Sequence, residues 1–392
     1  MTTSTSTAAE APLNWAALGG VTAALAMFGA AQGLSYPLFS LLMQKQGMSP
    51  AMIGLSAAMM PLGLIASAAF VPAAVRLVGA RNLAIACSLA GALCFLLIGY
   101  LQDWVAWFVV RFMIGVVINP LYILGEVWAL SMAPPSRRGR VMGVFNTLMG
   151  MGYATGPLVL TIVGTSGWTP FAVAIVGFIA CAIILRMMSN LSGFEEDGQS
   201  VGGVMGFAAL APALLFAVLV SAANQQSTYS LLPIFGASHG LPEAVLAAML
   251  TALSMGNILL QIPLGLLAER VGGRTMILFC AGATAACAVL LPMLIETRLI
   301  WLVLVVMGAV GYGVYTMALV ELGSRFNGSA LIAGNAAFAL MWGLGGIVGP
   351  PSSGLVMQAA GPIGLPVVLA SLNVILLAFA FYRMVLRKRT AG

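Results

Sequence analysis

Apolar stretches of about twenty residues or more run along the chain, broken by proline, glycine and single charges, which is the pattern of membrane-crossing helices rather than of strands. The breaks predict six spans in the first half, over roughly 14–43, 50–75, 82–101, 104–131, 140–165 and 168–190. Six more follow, over roughly 208–236, 242–268, 275–294, 298–323, 329–358 and 363–386. The one long polar interruption, LSGFEEDGQSVGGVMGF at 191–207, reads as a solvated linker between six-helix halves at 1–190 and 208–392. The fold class expected is an all-α membrane protein of twelve transmembrane helices in two pseudo-symmetric six-helix bundles.

Composition agrees and removes the alternatives. Hydrophobic residues make up 61% of the 392 and charged residues 7%, with a mean hydropathy of +1.07, which excludes a soluble globular domain. An outer-membrane barrel would show short alternating segments, which are missing. The formal charge of +6 comes from basic residues set singly or in short clusters between apolar runs, so it implies no nucleic-acid partner. Arg76, Arg81, Arg137, Arg138, Arg140, Arg186, Arg270, Arg274, Arg325, Arg383, Arg387, Lys388 and Arg389 fall on one side of the predicted topology, and only Lys45 and Arg298 on the other. By the positive-inside rule both termini are expected in the cytoplasm, with the chain in a bacterial-type inner membrane as a multi-pass monomer. The first fifteen residues lack the basic start of a cleaved signal peptide, so the first helix is expected to stay in the protein. The five cysteines all lie in predicted spans and read as small packing residues.

Two charges stand inside the run RFMIGVVINPLYILGEVWALSMAPPSRRGR at 111–140. An ionisable group at membrane depth costs about 3 kcal/mol or more, so it faces a protein interior or a water-filled cavity. At ~100° per residue, Arg111, Gly115, Tyr122 and Glu126 share one stripe of their helix, with the two charges about 22 Å apart. Arg111 can anchor an anion through its guanidinium fork, modulate a nearby proton carrier, or simply bond helix carbonyls. Glu126 can carry a proton in a poorly solvated cavity, or close a cytoplasmic gate by pairing with Arg81, Arg137 or Arg138.

Sliding the chain against itself by 193 positions aligns its halves almost without gaps. Gln32 and Tyr36 meet Gln225 and Tyr229, and Gly47 meets Gly240. Gly63 meets Gly256, and Gly79 and Arg81 meet Gly272 and Arg274. Gly115 and Tyr122 meet Gly308 and Tyr315, and Gly152, Gly156 and Pro157 meet Gly345, Gly349 and Pro350. Such a parallel repeat places a substrate site between the halves, near the bilayer midplane.

Several motifs now carry a family resemblance. GLLAERVGGR at 265–274, with Glu269, Arg270 and Arg274, is a short loop between spans; its first-half copy keeps Arg76, Gly79 and Arg81 without the acidic residue. GYATGP at 152–157 and GGIVGP at 345–350 repeat a GxxxGP pattern, and Arg111 sits in WFVVRFMIG. On these motifs the whole chain resembles the major facilitator superfamily, in its YcaD-like branch near the drug antiporters. The resemblance implies a loop motif that couples the halves during rocking, a fourth-helix arginine tied to proton coupling, and antiporter-type fifth-helix glycines. Independently of it, small residues four apart let backbones approach and proline loosens the helix, which serves either gating or permanent tight packing.

In such a fold the first, fourth, seventh and tenth helices line the cavity, as the resemblance implies. Gln32, Tyr36, Asn119, Tyr122, Gln225, Tyr229, Tyr312 and Tyr315 fall on those helices. Amides and phenols together suit an organic solute with polar groups, and equally suit hydrogen bonds between helices. Asp103 and Glu296 are expected to cap helices, Glu321 to pair with Arg325 at i, i+4, and His239 to be exposed and passive. No phosphate-binding loop, metal spacing or nucleophile motif is present, so no enzyme, cofactor or metal is expected. The function expected is secondary active transport of a small organic solute by alternating access, as proton-coupled export, with proton-coupled uptake of an organic anion as the alternative.

Overall fold

The computed structural model describes residues 15–132, 138–188, 201–326 and 328–390. In the first half the helices are α1 (Trp15–Lys45), α2 (Pro50–Ala68), α3 (Val71–Val78), α4 (Ala80–Tyr100), α5 (Trp104–Ser131), α6 (Arg138–Val163) and α7 (Thr169–Met187). In the second they are α8 (Val201–Leu210), α9 (Pro212–Ala237), α10 (Glu243–Val271), α11 (Gly273–Leu294), α12 (Ile300–Arg325), α13 (Gly328–Ala360) and α14 (Gly364–Thr390). Local chemistry sets several starts. Ser49 accepts from the Met52 amide ahead of Pro50, and Asp103 accepts from the Ala106 amide at 3.1 Å. Glu296, expected to do the same, caps nothing: α12 begins after Leu299 without a side-chain cap.

Two short helices depart from the expected twelve. The span predicted over 50–75 ends at Ala68, and α3 follows with proline in its first turn, a residue that favours a fresh helix start. Part of the predicted linker, from Val201 on, is the helix α8, which packs on α13. The acidic stretch Glu195–Asp197 lies outside the described residues.

Within the first half α1 packs on α6 and α7, α2 on α5, and α4 on α7; within the second α9 packs on α13, α12 on α10 and α11, and α11 on α14. The halves meet mainly where α2 crosses α13 and α6 crosses α10, with lesser contact between α1 and α9; no comparable packing joins α5 to α12. Large apolar side chains such as Ile162 and Ile262, 78% and 73% exposed, point outward, as a bilayer-facing surface requires. Nine described helices are long and apolar enough to cross a membrane; α9, whose middle carries Asn224, Gln225, Gln226, Ser227 and Thr228, is not among them. The polar content of α9 is accounted for by its place between the halves rather than against lipid.

The repeat is visible in backbone geometry. Gly47 and its mate Gly240 have φ of 77° and 76°, and Gly79 and Gly272 have 80° and 88°, conformations that only glycine adopts without strain. Gly63 and Gly115 lie where α2 crosses α5, and Gly256 and Gly308 where α10 crosses α12. A Cβ on Gly308 would overlap the Leu253 carbonyl, so Gly308→Leu is expected to cost about 3 kcal/mol through forced main-chain movement. Thermal unfolding in detergent should show a lower midpoint than the unaltered protein.

Candidate functional site

Lys45, Thr165 and Glu243 lie at one end of the bundle, called here the far end, and Arg76, Arg81, Arg186, Arg274, Arg325 and Arg383 lie at the opposite, basic end. Between them, α1, α5, α9 and α12 carry the residues expected to line a cavity. Tyr122 on α5 donates to Gln32 Oε1 on α1 at 2.5 Å, and its ring meets Phe28 edge-on at 5.1 Å. Across the gap, Tyr312 and Tyr315 on α12 cluster with Trp342 of α13, at ring separations of 6.1 and 4.8 Å from it. These three tyrosines are half-buried. Gln225 borders a cleft with Asn224, Thr228, Asn257 and Tyr312, where both amide atoms of buried Asn224 have no partner.

Other expected lining residues are used in packing. Tyr229 shares a 2.6 Å hydrogen bond with Ser254 of α10, and Asn119 donates to Ser67 of α2 at 3.0 Å. Tyr36 and Tyr229 are buried on either side of Tyr153, whose ring lies 6.4 and 5.3 Å from theirs. Tyr153 belongs to α6, so this aromatic row crosses from one half to the other. It is part of the GYATGP motif, whose repeated pattern is carried by the glycines and proline and not by the tyrosine. Trp342 had no signal at all beyond being an aromatic in an apolar run.

The two membrane charges differ in surroundings. Arg111 is fully buried: it donates from Nη1 to Ser56 of α2 at 3.1 Å and lies 5.1 Å from the centre of the Phe39 ring of α1. Its Nε and Nη2 have no partner, and no helix carbonyl takes them up. Glu126 is exposed, and is close enough to Tyr122, Tyr312 and Tyr315 to interact with them electrostatically. It makes no ion pair or hydrogen bond among the described residues. The gate pairing with Arg81 does not occur: Arg81 instead donates to the Leu185 carbonyl at 3.1 Å and to the Arg186 carbonyl, closing the end of α7. The side chains of Arg137, Arg138 and Glu269 lie outside those described. Arg270 is exposed and Arg274 half-buried at the basic end.

At the far end a ring of three side chains ties the halves together. Lys45 at the end of α1 contacts Glu243 at the start of α10 at 2.6 Å and donates to Thr165, before α7, at 2.7 Å; Thr165 in turn donates to Glu243. Below the ring, Gly54 of α2 meets the Pro350 carbonyl of α13, and Gly354 meets the Pro50 carbonyl. The far end is therefore shut. Gly152 and Gly156 pack α6 on Ala26–Leu34 of α1, and Gly345 and Gly349 pack α13 on Leu219–Ala223 of α9, so both GxxxGP glycine pairs make contacts inside their own half. His239, expected to be exposed and passive, is half-buried, bonds the Phe235 carbonyl at 2.8 Å and packs on the Phe235 ring. Glu321 and Arg325 pair as expected, at 3.4 Å.

Two helical halves joined mainly at the crossings of α2 with α13 and α6 with α10, with polar and aromatic groups between them, define a membrane transporter. The chain belongs to the major facilitator superfamily, whose family model matches residues 21–204 and 214–392. It is 25% identical over 345 residues to the MFS-type transporter YfkF of Bacillus subtilis, covering 84% of this chain and 86% of that one. It is 22% identical over 286 residues to the MFS-type transporter YcaD of Escherichia fergusonii, covering 72% of each. In structure it is similar to the nucleoside transporter NupG, here a form with one substitution, with a TM-score of 0.76 at 16% identity over 94% of this chain and 99% of that one. The chain is a multi-pass secondary transporter that works by alternating access, and the family is one of transporters rather than enzymes.

Proposed function

We propose that this transporter exports a small organic, amphipathic solute across the inner membrane in exchange for protons, with both termini in the cytoplasm. The observation that carries the reading is Glu126: an exposed carboxylate on α5 that makes no ion pair or hydrogen bond among the described residues and lies within electrostatic reach of the tyrosines of α12 in the opposite half. A carboxylate so placed can release its proton to the side the gap opens toward, and its charge changes the balance between the halves as they rock. The halves, 1–190 and 208–392, act as the two moving bodies. Tyr122, Tyr312, Tyr315 and Trp342 offer aromatic surface with hydroxyl groups at its edge, suited to a solute that is part apolar and part polar. Proton-driven flux in Glu126→Gln tests the proposal.

A second reading rests on Arg111. Its two unpartnered guanidinium nitrogens, Nε and Nη2, form a buried donor pair that an organic anion would satisfy during uptake with a proton. On that reading Arg111→Lys, which keeps the charge but loses the planar fork, weakens substrate affinity about ten-fold or more. Equilibrium binding of the anion to purified protein measures this, and unchanged affinity would remove Arg111 as the anchor.

A further inference from the structure

We propose that the basic end of the second half binds the phosphate of an anionic phospholipid headgroup. A small open cleft lies there among the starts of α9 and α11, the last turns of α12 and the second half of α14. Arg274, Arg325 and Arg383 reach it from three different helices, and Glu321 is its one acid among the described residues. Glu321 is taken by Arg325. Arg274 and Arg383 are half-buried, and neither makes an ion pair or hydrogen bond among the described residues.

The repeat explains why Arg274 has no partner among the described residues. Its mate Arg81 is satisfied by the carbonyls of Leu185 and Arg186, which are free because α7 stops at Met187. The equivalent positions in α14 are Ala378 and Phe379, and α14 continues to Thr390, so their carbonyls stay within the helix ladder. That extension also brings Arg383 into the cleft. The mates of Arg383, Glu321 and Arg325 are Asn190, Trp128 and Met132, so the first half carries no such cluster.

Two like charges converge here, and Glu321, the cleft's one acid among the described residues, is already taken by Arg325, so an anion is called for. The start of α11 adds to the demand, since Gly272 has no side chain with which to cap it. Leu214, Ile277 and Leu376 give the cleft an apolar wall, while Leu210 at its edge is 57% exposed on the bilayer-facing surface. A phosphate for the arginines and hydrocarbon for the wall together describe a lipid more closely than a free ion.

Native mass spectrometry of the detergent-solubilised full chain, supplied with phosphatidylglycerol or phosphatidylcholine in equal amounts, tests this. Retention of the anionic lipid should exceed that of the zwitterionic one, and fall about five-fold for each arginine removed in Arg383→Gln and in Arg274→Gln with Arg383→Gln. Arg383→Glu guards against misfolding, since the new carboxylate can pair with Arg274; it should keep the thermal midpoint and lose the lipid. Arg298→Gln, at the far end, should leave retention unchanged. Equal retention in the double variant overturns the proposal. Displacement of the lipid by millimolar inorganic phosphate, or lipid binding that begins only once Glu195, Glu196 and Asp197 are neutralised, also overturns it, by giving the arginines to a free ion or to the chain's own acidic stretch.

Discussion

Proton-driven flux through Glu126→Gln is expected to fall to the level of passive leak, at least ten-fold below that of the unaltered protein, while exchange of solute for solute continues. Gln keeps the shape and hydrogen-bonding edge of a protonated carboxyl, so the halves can still rock with substrate bound. What it removes is the charged state, and with it the obligation to carry a proton on one leg of the cycle. Proteoliposomes with an imposed pH gradient give the first quantity, and counterflow without a gradient the second. Loss of both would place Glu126 in substrate binding instead. Proton-driven flux at the original rate would take it out of the mechanism.

A covalent bridge across the far end should stop transport altogether. With Lys45→Cys and Glu243→Cys joined by a short bifunctional thiol reagent, α1 and α10 can no longer part, and a cycle that must open both ends stalls with the far end shut. The five native cysteines are buried and unbridged, so the added pair takes the reagent. A cleavable reagent makes the block reversible, with flux restored on reduction. Either single cysteine treated the same way should keep most of its flux. Undiminished flux in the bridged protein would mean that the ring does not move during the cycle.

Much of this was legible in the sequence because the fold is written twice. Gly47 with Gly240 and Gly79 with Gly272 share an offset because each pair occupies a turn that no other residue fits, and Gly63, Gly115, Gly256 and Gly308 because each sits at a backbone crossing. Those constraints act on single positions, so a linear chain displays them. The partners of Arg111 were hidden for the opposite reason: Ser56 and Phe39 are ordinary residues on other helices, brought to it only by packing. The far-end ring was hidden likewise, since Lys45, Thr165 and Glu243 are far apart along the chain and Lys45 by itself is only a departure from the charge bias. Of the two short helices, α3 is the more readable, because Pro72 inside an apolar run marks the first turn of a new helix. In α8 the adjacent glycines Gly202 and Gly203 argue locally for a loop, and packing on α13 prevails.

The same ring has mates too: Lys45, Thr165 and Glu243 correspond to Ser238, Gln358 and Pro50, none of them charged. An ion pair with both side chains 44% exposed is weakened by dissolved salt, and the uncharged trio is not. Both trios lie at the far end, because a parallel repeat keeps mates on the same side of the membrane, so two sectors of that one mouth differ in their response to the medium. Dissolved salt loosens the charged sector of the far mouth and leaves the uncharged sector as it is.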